Sequence, residues 1–172
     1  MPGLFSFPNP VNETSARLVA TGAVILGIGF AATGNGWLLA ALTYGFIARV
    51  LTGPTLSPLG RLATQVITPR LDVEHKFVPG PPKRFAQGVG ATMSIVASVL
   101  FLQDAVGVAR IVILGLVFAA FLEAAFAFCL GCKMFAILMR LGVIPASVCE
   151  ECNDITARLR ATTADQIGRA HV

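Results

Sequence analysis

From Ile111 to Leu130 the chain carries a single charged residue, Glu123. An α-helix rises about 1.5 Å per residue, so a run of this length reaches across the roughly 30 Å hydrocarbon core of a bilayer. A run like this either spans lipid as a helix or lies inside a large core. Composition decides between the two. The chain has 172 residues, of which 55% are hydrophobic and 13% charged, about half the charged share of an average soluble domain. Its mean hydropathy is +0.77. One domain of this size lacks the polar side chains to cover a water-facing surface, so a lipid-facing surface is expected.

With three further apolar runs, the expected spans lie at about 18–34, 36–51, 85–102 and 107–130, in a single integral-membrane domain over 1–166. Thr33-Gly34-Asn35-Gly36 and Gln103-Asp104 read as tight turns. Thr14 or Ser15 and, later, Asp104 are expected helix caps. Ala23, Gly27 and Ala31 form a small-residue stripe that lets a second helix approach closely. Between the second and third runs, Pro58 to Pro69 carries apolar residues at Leu59, Leu62, Val66 and Ile67, the spacing of a short amphipathic helix lying at the membrane surface. The fold expected is an all-α membrane protein. Four transmembrane helices pair as two hairpins, with an interfacial amphipathic helix and a cytoplasmic C-terminal helix from about Ala146 to Arg160.

The net charge of +4 does not point to nucleic acid, because the basic residues sit at the ends of the apolar runs. Arg49, Arg61, Arg70 and Arg84 read as topology anchors, and they put both termini and the middle segment in the cytoplasm. Met1 to Pro10 lacks a basic stretch and holds Pro2, Pro8 and Pro10, so no cleavable signal peptide is expected. Ile167-Gly-Arg-Ala-His-Val172 reads as a translated sequencing-adapter oligonucleotide, which removes His171 and Arg169 from the functional argument. His75 then stands alone in a solvated loop with Asp72 and Glu74.

All four cysteines fall in two pairs, Cys129-Leu-Gly-Cys132 and Cys149-Glu-Glu-Cys152. On a continuous helix, thiols three residues apart share one face. The spacing serves thiol–disulfide exchange and metal binding alike. C-x2-C-x16-C-x2-C also lies within the range for four-cysteine zinc sites, so zinc is the alternative cofactor. Cysteine is equally at home as a small buried hydrophobe. Glu123 is the one acid inside an apolar run. A charge at mid-bilayer depth costs about 2.5–3.5 kcal/mol on insertion scales, so this carboxyl must face protein, stay neutral, or pair with Arg110 or Arg49. Its helical phase sets it opposite Cys129 and Cys132, which argues against one site holding all three. Three readings follow. The first is a thiol redox or sulfur-relay protein using the two pairs at the cytoplasmic membrane face. The second is a non-enzymatic membrane scaffold with a structural zinc site on all four cysteines. The third is a small transporter subunit using Glu123. Enzymatic activity and oligomeric state are left open.

Tyr44-Gly-Phe-Ile-Ala-Arg-Val-Leu-Thr-Gly-Pro-Thr-Leu-Ser-Pro-Leu-Gly-Arg-Leu-Ala63, Pro79-Gly-Pro-Pro-Lys-Arg-Phe-Ala-Gln-Gly-Val-Gly90 and Cys129-Leu-Gly-Cys132 together resemble an uncharacterised bacterial integral-membrane family, domain of unknown function 4395. The resemblance runs from Asn12 to Ile155, and Cys149-Glu-Glu-Cys152 resembles only a subset of relatives. It implies a bacterial cytoplasmic (inner) membrane and, as a soluble partner, a thioredoxin-like or sulfurtransferase protein. It implies no activity.

Overall fold

A computed structural model describes residues 11–70 and 77–145. His75, Cys149, Cys152, the expected C-terminal helix and the Ile167–Val172 tail lie outside the described residues.

Helix α1 (Glu13–Thr33) starts where the Asn12 side chain accepts the Thr14 N–H at 2.9 Å, so Asn12 caps it rather than Thr14 or Ser15. It stops at Gly34, whose φ of 70° suits a residue without a Cβ. Asn35 then caps α2 (Gly36–Thr52) through the Trp37 N–H. Helix α4 (Gly80–Leu102) opens with proline in its first turn, where the missing N–H costs nothing. Asp104 adopts a φ of 60° in the turn that follows and does not cap α5 (Val106–Phe126). A final helix, α6, covers Leu130–Arg140.

Helices α1, α2, α4 and α5 close into a ring, with α6 laid against α4. The most extensive contacts join α1 to α5 and α2 to α4, across the chain rather than along it. The core holds Phe30, Leu39, Leu42, Phe46, Ile113 and Leu116, interleaved with Ala23, Ala91, Ala97 and Ala109. The small-residue stripe of α1 does what its spacing predicts: a Cβ on Gly27 would fall 2.4 Å from Val117 Cγ2 of α5. Hydroxyls stitch α2 to α4, with Thr43 Oγ1 3.0 Å from Ser98 Oγ.

The outer surface is apolar, with Ile25, Ile111 and Phe118 more than half exposed. Helices α1, α4 and α5 are long and apolar enough to cross a membrane; α2 is apolar but shorter. The chain is thus a helical membrane protein with three helices of spanning length.

The segment from Pro58 breaks into three short turns: α3 (Pro58–Arg61), a wider turn over Leu62–Ile67 and a tighter one over Thr68–Arg70. One face packs inward, where Leu59 covers Gly22 and the Ser15 and Thr68 hydroxyls meet at 2.9 Å. Leu62 and Val66 are exposed on the other face. A two-residue antiparallel pairing of β1 (Val11–Asn12) with β2 (Phe77–Val78) is an addition to the all-α expectation.

Gly27→Leu is expected to push α1 off α5 and cost about 1–3 kcal/mol, the usual overpacking range. Thermal unfolding in detergent checks this, with Gly107→Ala as the control. A Cβ at Gly107 meets nothing within 4 Å, so that variant should melt no lower than the parent.

Candidate functional site

Two charges meet inside the bundle where α4 begins and α5 ends. Lys83, in the first turns of α4, is 8% exposed. Its Nζ donates to Glu123 Oε1 in a salt bridge with both side chains largely buried. Glu123 therefore pairs with neither cation expected. Arg110 lies at the far end of α5, against Gly34. Lys83 wins because the first turns of α4 abut the last turns of α5, and a buried charge needs an opposite one at contact distance.

Arg49 enters the same region from α2 and is only 5% exposed, so it is no headgroup-facing anchor. Its Nε donates to Gln87 Oε1 at 2.9 Å and its Nη1 to Ser57 Oγ at 3.3 Å. The guanidinium carbon sits 4.6 Å from the centre of the Phe46 ring, a cation–π contact. Arg61, Arg70 and Arg84 are exposed.

The dithiol arrives by a turn that the expected span to residue 130 does not contain. Helix α5 stops at Phe126, and Ala127 takes a left-handed φ of 54°. Arg17 of α1 holds this end, donating to the carbonyls of Ala124 and Ala125 that the helix leaves open. Cys129 is then extended and caps α6: its Sγ accepts the Cys132 N–H at 3.4 Å. Gly131 marks the start of α6, not the end of α5. A Cβ there would lie 2.6 Å from the Ala86 Cα, so only glycine lets α6 approach α4 so closely.

The reversal overturns the helical-phase argument. Glu123 and Cys129, set apart on a continuous helix, line one cavity of about 270 Å³ together with Arg49 and Gln87. The remaining wall is apolar, with Phe46, Leu116 and Ala120. Cys129 is buried and Cys132 partly so.

Both thiols lie beyond the end of α5, and they are unequal. The Cys132 side chain donates to Cys129 and holds its thiol below the ordinary value; the Lys83 charge and the Cys132 N–H act in the same direction, against burial and Glu123. The same hydrogen bond, together with burial, pushes Cys132 up. Cys129 is thus the more easily deprotonated thiol of the pair. Among the described residues no three His, Cys, Asp or Glu side chains are grouped to hold a metal. A zinc site would need Cys149 and Cys152, which lie outside them.

Lys83 and Gln87 are the site residues that sequence reasoning missed. A signal existed: an acid in one apolar helix demands a cation, and Lys83 opens the next apolar run one turn before Gln87.

The family model described as "Domain of unknown function (DUF4395)" matches residues 11–140, which include every residue of this site. No curated protein and no solved structure matches the chain.

Iodoacetamide alkylation of Cys129, followed by mass spectrometry across pH, should reach half its maximal rate below the ordinary thiol value. Cys132→Ala removes the donor and should move that midpoint upward. Gly131→Ala should lower the melting temperature and raise Cys129 accessibility together, because Ala86 backbone cannot yield to a new Cβ.

Proposed function

Since the chain belongs to the DUF4395 family, and membership brings no activity with it, we propose from the site itself that this is a multi-pass membrane protein of thiol–disulfide exchange or sulfur relay. The observation that supports the reading is the double placement of Cys129. Its sulfur caps the start of α6 beside Cys132, and it also borders a cavity that holds Arg49 and Glu123. Low-pKa thiols at helix N-termini are the nucleophiles of dithiol chemistry.

In the exchange step the Cys129 thiolate attacks one sulfur of a substrate disulfide. That S–S bond breaks, and the departing thiolate takes up a proton. Cys132 then gives up its proton and attacks the Cys129 sulfur of the mixed disulfide. A Cys129–Cys132 disulfide forms and the second thiol leaves. The substrate gains two electrons and two protons, and the protein pair loses them. Reduction of the pair falls to Cys149/Cys152 or to a thioredoxin-like protein; in the relay version a sulfurtransferase delivers sulfur to Cys129.

In this reading α2 is a fourth, short span. Both termini and the dithiol face the cytoplasm of a bacterial inner membrane, as the basic residues between α2 and α4 favour. A second reading, a small transporter subunit, draws support from the buried Lys83–Glu123 pair, since ionisable residues at such positions commonly serve transport.

Cys132→Ser should trap mixed disulfides at Cys129, visible as a thiol-sensitive mobility shift on non-reducing gels from intact cells. Cys129→Ser should show none. An absence of trapped species in Cys132→Ser would end the exchange reading.

A further inference from the structure

We infer that the cavity beside Cys129 binds a small organic anion, with its oxyanion head on Arg49 and its apolar body against α1 and α5. The charges around the cavity carry the argument. Lys83 and Glu123 cancel one another in their salt bridge. Arg49 has no such partner: its Nε and Nη1 rest on the neutral oxygens of Gln87 and Ser57. Its Nη2 is buried and has no hydrogen-bond acceptor among the described residues. Guanidinium does not shed its charge in proteins, so among the described residues this region holds two cationic side chains to one carboxylate, with an N–H still to be satisfied.

Geometry adds the shape of the ligand. Arg49 lines the same cavity as Cys129, and the cavity is the size of a small aromatic ring with a substituent, about 270 Å³. Apart from Arg49, Gln87, Glu123 and the thiol, its walls are alanine, glycine and larger apolar side chains. An oxyanion accepts a charge-assisted hydrogen bond from the guanidinium, and an apolar body matches the remainder. A sulfonate, carboxylate or phosphate head supplies the needed chemistry. The inference rests on the thiol reading only for what happens to the ligand, which then becomes an anionic disulfide or thiosulfonate; binding stands apart from it.

The test uses the full chain in nanodiscs of neutral phosphatidylcholine, as the Cys129→Ser variant so that no thiol reaction intervenes. Benzenesulfonate is expected to raise the melting temperature where benzyl alcohol, its uncharged counterpart, does not. Adding Arg49→Gln should abolish the difference, and Arg49→Lys should restore part of it. Equal shifts from the two compounds, or a difference that survives Arg49→Gln, would overturn the inference. Repeating the experiment with phosphatidylglycerol present separates sources: a benzenesulfonate effect that vanishes there assigns the head to lipid and overturns the small-molecule assignment.

A second arm needs no change at Arg49. Methanethiosulfonate reagents transfer their thioalkyl group to Cys129 with release of methanesulfinate. The sulfonatoethyl reagent should modify Cys129 at least ~10-fold faster than the trimethylammonium reagent, the lower end of electrostatic focusing in a charged cleft. Benzenesulfonate should slow it. Equal rates, or a faster cation, would overturn the inference even if every Arg49 variant failed to fold. Failed trapping in Cys132→Ser alongside intact benzenesulfonate binding would remove the exchange reading and leave the anion cavity standing.

Discussion

A lysine and a glutamate held inside an apolar bundle set the terms for everything around them. Each alone would cost several kcal/mol to keep out of water, and only their mutual contact makes the pair tolerable. That contact fixes where the first turns of α4 sit relative to the last turns of α5. Arg49, Gln87 and both thiols gather near the pair, while the opposite end holds aromatic contacts such as Phe30 with Phe101 and the Arg110 guanidinium beside Gly34. The end at the salt bridge is thus the chemically equipped one.

Within the equipped end, division of labour follows from chain direction. Helix α4 contributes Lys83 and Gln87, one turn apart and facing inward. Helix α2 delivers Arg49 over the Phe46 ring. Cys129 comes from neither a helix nor a loose loop. It occupies the cap between α5 and α6, flanked by the Arg17 hydrogen bonds to α5 and by the close approach of Gly131 to Ala86.

How much of this was written in the sequence depends on distance along the chain. Apolar runs and their uncharged turns are local signals, and α1, α2 and α4 follow them closely; so does the Gly27 stripe. The two cysteine pairs were visible as spacing. What was hidden is every contact between distant residues. Lys83 is 40 positions from Glu123, and nothing near either one names the other. The reversal at Ala127 was hidden for a different reason. Alanine is a strong helix former, and no glycine or proline marks that spot, so an unbroken helix to Leu130 was the natural expectation. That one left-handed residue carried the phase argument with it, and so Glu123 and Cys129 looked like separate features. Arg49 was misjudged because an arginine near the end of a short span usually faces headgroups; its depth shows only once α4 is in place.

Arg17 gives the bundle a property beyond geometry. The hydrogen bonds that terminate α5 come from a residue 107 positions earlier in the chain. During synthesis, the first helix therefore waits through the insertion of α2 and α4 with its guanidinium unengaged by those carbonyls. The cap that shapes the Cys129 turn forms only when the ring of helices closes. The end of α5, and with it the entry to the Cys129 turn, is thus completed by tertiary closure and not by the helix itself.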